Sequence, residues 1–280
     1  MSRKINSVLI TGDGAKPRVA DAVRAALPAI RKMAKVVAVD MDESASLDKV
    51  RAEMALVFGG DGAILKAVRR LGDNNIPVCG VNLGKLGFLA TLTDADSRKE
   101  IRAVLAGEYW VRTAMKLACV VRRRGRVIHR SVAVNDVVVS RGALSRIVQI
   151  DVLIDRYCVG AYNGDGLIVS TPLGSTAHSL SAGGPIVEPG LNSIILTPIC
   201  PHTLSNRPIC LSASRKIEMR LAGGPEGVAL TVDGQVYIEL ERGDVATVSK
   251  ASKPLRLVRA AGFNYYRTLH EKLGWSGRII

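Results

Sequence analysis

The sequence predicts an α/β N-terminal domain with a parallel sheet, followed by an all-β, sandwich-like C-terminal domain. Three observations predict it. Apolar runs and amphipathic helices alternate over the first hundred residues, the pattern of a parallel sheet covered by helices. From about Trp110 the hydrophobic period drops to two, and the span to Val258 reads as short strands between Gly, Pro and Asp turns. The helical period then returns at Asn264–Leu273, with Tyr265, Leu269 and Leu273 on one face. That tail is expected to rejoin the first domain. The expected boundaries are therefore 1–107 plus 262–280 for the α/β domain and 108–261 for the β-rich one.

In order, Val8–Thr11 is a short strand, Pro17–Met33 an amphipathic helix and Val36–Asp40 a strand ending in acid. Gly12-Asp13-Gly14 begins like a dinucleotide fingerprint, but Pro17 takes the third glycine's place. The next strand, Ala55–Phe58, runs straight into Gly59-Gly60-Asp61-Gly62, after which Ile64, Leu65 and Val68 recur at helical spacing. Glycines at such a junction let a ligand approach the backbone, and the first free N–H groups of the helix favour negative charge there. Asp61 is the odd member, since a carboxylate repels bare phosphate. It suits a proton acceptor or the holder of a cation such as Mg²⁺. The plain alternative is a strand–turn–helix corner with Asp61 as N-cap. No Gly-Lys-Ser/Thr follows, so this is not a P-loop, and Lys66 sits on the helix instead. Ile76–Val81 is a further strand and Ser97–Ala106 a helix ended near Gly107. Ligands of parallel sheets bind beyond the carboxyl ends of the strands, where Asp61 falls.

In the β-rich half, Ile217, Met219 and Leu221 alternate with Glu218 and Arg220, and Asp233-Gly234 is a turn pair between two strands. Arg122-Arg123-Arg124-Gly125-Arg126 lies between two apolar alternations and so reads as the solvated tip of a hairpin; a nucleic-acid patch, the other reading, would have aromatic residues interleaved, and none are. One segment breaks the β pattern. Asn163-Gly164-Asp165-Gly166 precedes the strand Leu167–Ser170, and T-P-L-G-S-T-A-H-S-L-S-A-G-G-P follows from Thr171 to Pro185. Small residues here let a flat ring lie on backbone while hydroxyl and N–H groups bond its edge. Asp165 suits an amide or a ribose, and Asn135-Asp136 offers acceptors for base edges and ribose hydroxyls. Asx-turns at Asp136 and Asp165 and a cap at Ser175 are the plain readings. His178 beside serines does not make a hydrolase. There is no G-x-S-x-G elbow, and near neighbours on a short helix do not form a triad.

At 280 residues with 48% hydrophobic content, the chain is a folded globular protein with ample core. No run approaches eighteen apolar residues and the N-terminus lacks a signal-peptide core, so a cytoplasmic location without membrane association is expected. Five cysteines without a C-x-x-C pair fit a reducing compartment, each expected as a small buried hydrophobe. The net charge of +14 favours an anionic partner. With 4% aromatic residues there is little to stack bases on, and no nucleic acid is expected.

Gly59-Gly60-Asp61-Gly62, Asn135-Asp136 and Gly164-Asp165-Gly166 with Thr171–Pro185 resemble the ATP-NAD kinases. So do Gly80-Val81-Asn82-Leu83-Gly84-Lys85-Leu86-Gly87-Phe88-Leu89 and Leu196-Thr197-Pro198-Ile199-Cys200-Pro201-His202. The likeness covers nearly the whole chain in order. Its glycine-aspartate box is shared with phosphofructokinases and diacylglycerol-type lipid kinases, whereas Thr-Pro-x-Gly-Ser-Thr-Ala with Gly-Gly-Pro is far more specific. The resemblance implies an NAD kinase-like fold and transfer of a phosphate from ATP or polyphosphate, with Mg²⁺, to the 2′-hydroxyl of the adenosine ribose of NAD, giving NADP. It also implies a homodimer or homotetramer. Asp61 would take the hydroxyl proton, and Gly59, Gly60 and Gly62 would hold the donor phosphates. NAD would meet Asp61, Gly62 and Lys66, with Asn135 and Asp136 at its adenine and ribose. Arg146, Asn163, Asp165 and Gln235 align with further contact positions, as do Thr176, Ala177, His178, Ser179, Leu180 and Ser181. Three residues depart from the family: Ala63 stands where Thr is usual, Asp136 where Glu is commoner, and His178 where Tyr is usual. Because imidazoles change charge near neutral pH, the last predicts a steeper pH dependence of NAD affinity. The alternatives are a lipid kinase with the same box, which would need an apolar groove, and a non-catalytic dinucleotide sensor, which would be expected to lack Asp61.

Overall fold

The computed structural model describes residues 3–84, 87–93, 97–142, 147–203 and 205–275. Chain contacts divide it into two compact units, Met1–Thr113 with Leu255–Ile280, and Ala114–Pro254. The chain begins with β1 (Ser7–Gly12), α1 (Pro17–Met33), β2 (Lys35–Asp40), β3 (Met54–Phe58), α2 (Asp61–Leu71), β4 (Val78–Asn82), β5 (Leu92–Thr93), α3 (Ser97–Ala106) and β6 (Tyr109–Ala114). Next come β7 (Leu117–Arg123), β8 (Arg126–Ala133), β9 (Asp136–Ser140), β10 (Val148–Ile154), β11 (Tyr157–Gly164), β12 (Gly166–Ser170), a 3-10 turn at Leu173–Thr176 and α4 (His178–Ser181). β13 (Ser193–Ile199), β14 (Ile209–Ser212), β15 (Ile217–Gly223), β16 (Ala229–Val232), β17 (Val236–Glu239) and β18 (Val245–Lys250) follow, before β19 (Leu255–Ala260) and α5 (Tyr265–Leu273) close the chain.

The first unit is built on a sheet of order β2-β1-β3-β4-β19-β6, with β5 beside β4. β1 pairs in parallel with β2 and β3, and β4 in parallel with β3, β5 and β19. All five residues of β3 are buried, as a strand covered on both faces requires. Pro17 opens α1, where its missing N–H has no partner to lose. Asn264 caps α5, accepting from the N–H groups of Tyr266 (2.9 Å) and Arg267 (3.2 Å).

The second unit is an antiparallel sandwich of two six-stranded sheets, β11-β10-β15-β18-β7-β8 and β14-β13-β12-β9-β16-β17. In β15, Ile217, Met219 and Leu221 enter the core between the sheets while Glu218 and Arg220 face away. β12 is buried on both faces, because the polar segment after it lies over the sheet's outer side and hydrogen-bonds to it (Ser179 to Thr197, 2.8 Å). Asp233 and Gly234 hold positive φ (51° and 63°), and Gln235 N–H closes the turn on the Val232 carbonyl (2.9 Å).

Two expectations change. The arginine run does form a hairpin tip between β7 and β8, exposed at Arg124 and Arg126, but half-buried Arg123 is engaged: it grips buried Asp244 through Nε and Nη2 and also reaches Glu241. Of the cysteines, Cys79 and Cys119 are buried, whereas Cys158, Cys200 and Cys210 are exposed, two of them on strands at sheet edges.

Candidate active site

In the first unit the β3–α2 junction sets Asp61. Gly59 takes φ +143°, a conformation L side chains rarely adopt, and turns the chain from the strand into the helix. Gly60 is the N-cap and Asp61 the first helical residue, so the alternative of Asp61 as N-cap is overturned. Its carboxylate leaves its own helix and accepts three backbone N–H groups: Phe88 on Oδ2 (2.8 Å), and Leu89 and Ala90 on Oδ1 (3.1 and 3.3 Å). Successive N–H groups pointing one way form an anion-binding concavity. Gly87 is part of the fit, since a Cβ there would run into the Asp61 carboxylate. Oδ2 accepts one bond from this cradle and keeps a lone pair for another.

The carbonyls of the same segment face a buried cation. Arg259, on β19, is 2% exposed. Its Nη1 donates to the Leu89 carbonyl (2.8 Å) and Thr91 Oγ1 (3.0 Å), and its Nη2 to the Phe88 carbonyl (3.0 Å). The Phe263 ring covers its guanidinium at 4.0 Å. Burial pushes its pKa down to about 10, Arg112 adding to the fall and Asp61 opposing it. Arg259 therefore stays charged at neutral pH. Neither Arg259 nor the 87–90 segment was singled out from sequence for Asp61. One signal was present: Arg259 shares strand parity with the buried Leu255 and Leu257.

In the second unit, Asn135 and Asp136 are fixed by neighbours on both sides. Asp233, read from sequence only as a turn residue, accepts N–H groups from Val134 (2.9 Å), Asn135 (2.7 Å) and Asp136 (3.1 Å). Thr171 donates its N–H to the Asn135 carbonyl (2.8 Å) and its hydroxyl to the Val134 carbonyl (2.7 Å), then accepts from Gly174 N–H (2.9 Å). The pair is thereby joined to both the Thr171–Ser181 segment and the Gln235 turn. Asp136 is buried, and burial first, then the Asp233 charge, raises its pKa to about 7. Opposite it in register lies Ser170, whose buried hydroxyl has no partner among the described residues.

The remaining candidates separate. Ser175 and Ser179 are buried in bonds to Pro172, Val187 and Thr197, which makes them scaffold for the turn. Thr176 bonds the Leu173 carbonyl (3.3 Å), and Ala177 and Leu180 are half-buried, while His178 and Ser181 are exposed. Asp165 is already paired: Arg141 grips it twice (2.7 and 3.2 Å) and holds its pKa below the usual carboxylate range. Asn163 lies close by on β11, its carbonyl accepting His202 N–H (2.9 Å). Lys66 donates to Glu43, beside an open cavity of about 610 Å³ on the flank of α2. Arg146 lies outside the described residues.

Residues 30–109 match the ATP-NAD kinase N-terminal domain and residues 134–260 the ATP-NAD kinase C-terminal domain. The chain is 46% identical over 227 residues to an NAD kinase of Geobacter metallireducens, covering 81% of this chain and 80% of that one. It is 37% identical over 289 residues to an NAD kinase of Azoarcus sp., covering 99% and 98%. Among solved structures it is similar to yeast NADH kinase complexed with NADH, at TM-score 0.88 and 26% identity over 99% of this chain and 90% of that one. It is also similar to an NAD kinase from Archaeoglobus fulgidus in complex with ATP, at TM-score 0.74 and 26% identity over 97% and 100%. Fold and relatives together define a kinase, a phosphotransferase acting on an alcohol group. Within that class, the chain belongs to the ATP-NAD kinase family.

Proposed function

We propose that this chain transfers the terminal phosphate of ATP or polyphosphate to the 2′-hydroxyl of the adenosine ribose of NAD, giving NADP. The observation that carries the reading is the Asp61 carboxylate, held by three backbone N–H groups at a glycine-lined helix start. In the proposed reaction Oδ2 takes the hydroxyl proton as the oxygen attacks the terminal phosphorus and the bridging P–O bond breaks, releasing ADP or the shortened polyphosphate. Gly59, Gly60 and Gly62 pass the donor phosphates along backbone, with nothing within 4 Å of a Cβ at Gly60 to crowd them. Asn135 and Asp136 bond the adenine and ribose, a protonated Asp136 being able to donate as well as accept. In the second unit Asn163, Asp165, Gln235 and the Thr176–Ser181 turn are the further dinucleotide contacts of this proposal; in the first, Lys66 leaves Glu43 to meet phosphate.

Among the described residues no group of three or more His, Cys, Asp or Glu side chains is placed to hold a metal ion. A single hard carboxylate at the loop fits Mg²⁺ carried in on the donor phosphates, where the ion neutralises charge developing on them. Among the described residues no helix is long and apolar enough to cross a membrane. A cytoplasmic homodimer or homotetramer completes the proposal. Incubation with NAD, ATP and Mg²⁺, read by an NADP-specific dehydrogenase, is expected to yield NADP. Phosphorylation of diacylglycerol in place of NAD, or dinucleotide binding without turnover, would reject it.

A further inference from the structure

A fully buried guanidinium is rare unless it answers another charge. Arg259 answers one through the backbone. The Phe88 carbonyl it holds belongs to the same peptide unit as the Leu89 N–H given to Asp61, and the Leu89 carbonyl to the same unit as the Ala90 N–H. Two consecutive peptide units thus lie lengthwise between cation and anion, each with its dipole aligned to both. In an extended strand consecutive units point to opposite sides, so this geometry needs to be held from both ends. Asp61 holds one end and Arg259 the other, while Phe263 covers the guanidinium face and Thr91 bonds Nη1 and the Val258 carbonyl (2.8 Å).

We propose that Arg259 is a positioning residue for phosphoryl transfer: by holding the Phe88 and Leu89 carbonyls it fixes the N–H cradle that aims the Asp61 carboxylate. This rests on the assignment of Asp61 as proton acceptor. Arg259 itself touches no substrate. Its loss lets the cradle rotate, so the carboxylate remains but is misaimed, and misplacement of about 1 Å costs on the order of 10²-fold in rate.

The test is Arg259→Lys, made in the native chain and in Asp61→Asn. A lysine keeps the charge, but its point-like ammonium does not reproduce the fork that spans two carbonyls. In the native background kcat is expected to fall about 10- to 100-fold, with KM for NAD and ATP within about twofold. In the Asp61→Asn background the same change is expected to alter residual turnover by less than about threefold, since there is no carboxylate left to aim. Native kcat in Arg259→Lys, an equal loss in both backgrounds, or a loss carried by KM overturns the proposal. Should Arg259→Lys not fold, Thr91→Val removes one acceptor of Nη1 and leaves the charge. It is expected to lower kcat roughly three- to tenfold in the native background only, and an unchanged kcat overturns the proposal. Asp61→Asn alone staying within about fivefold of native would remove the proton-acceptor assignment and this role together. A large Asp61→Asn loss with equal Arg259 losses in both backgrounds would remove only the role of Arg259.

Discussion

Asp61 in the first unit and Asp233 in the second each accept N–H groups from three consecutive residues, Phe88 to Ala90 in one case and Val134 to Asp136 in the other. What stands beyond the cradle differs. Behind the first lies the buried cation Arg259; inside the second lies another acid, Asp136, raised to about pKa 7. In the first unit the backbone orients a carboxylate against a compensating charge. In the second a carboxylate orients the backbone, and the acid carried on that backbone resists ionising. One local motif serves opposite purposes, and the neighbouring charge decides which.

The comparison is sharpened most strongly at Gly87. Gly87→Ala places a methyl against the Asp61 carboxylate and is expected to lower kcat about 10²-fold with the fold retained. A change under about threefold, measured by NADP formation, would show that the cradle tolerates displacement. Asp233→Ala deletes the acceptor of three N–H groups and is expected to cost about 2 kcal/mol of stability and raise KM for NAD. Equilibrium denaturation that leaves stability within about 0.5 kcal/mol would show that the Val134–Asp136 backbone stands without it.

Asp136 gives a pH test. Its pKa is about 7 folded against 3.8 for an unperturbed aspartate, so between those values the folded state binds the extra proton. Its contribution to stability is full below the lower value, falls as pH rises and levels off above the upper one. Asp136→Asn cannot ionise, and is expected to gain on the order of 1 kcal/mol relative to the native chain between pH 5 and pH 8. A stability difference independent of pH contradicts this. The smallest effect belongs to exposed His178: His178→Tyr is expected to change KM for NAD by about two- to threefold through the larger ring it offers. An unchanged KM rejects it.

Much of the fold was legible because amphipathic period carries through space unchanged. α1 and α3 occupy the expected spans Pro17–Met33 and Ser97–Ala106, and Ile217, Met219 and Leu221 are buried as their alternation requires. Asp61 and Asn135-Asp136 stood out as polar residues at strand ends. Their partners did not. Any residue but proline can offer a backbone N–H, so Phe88 to Ala90 carry no mark of serving a carboxylate 27 residues away. Arg141 was not identified as the residue that takes up Asp165, and Asp233 resembled an ordinary turn residue because its second role lies across 97 residues of chain. Exposed Cys158 and Cys210 escaped for a related reason, since edge position in a sheet depends on topology that strand pattern does not encode.

The most direct measurement compares NADP formation by the native chain and by Asp61→Asn, with NAD binding determined separately by calorimetry. If the cradled carboxylate takes the ribose proton, turnover falls about 10²–10⁴-fold, roughly 3–5.5 kcal/mol in the barrier, while NAD still binds. A fall of less than about fivefold would place the proton acceptor elsewhere in the molecule and contradict the account.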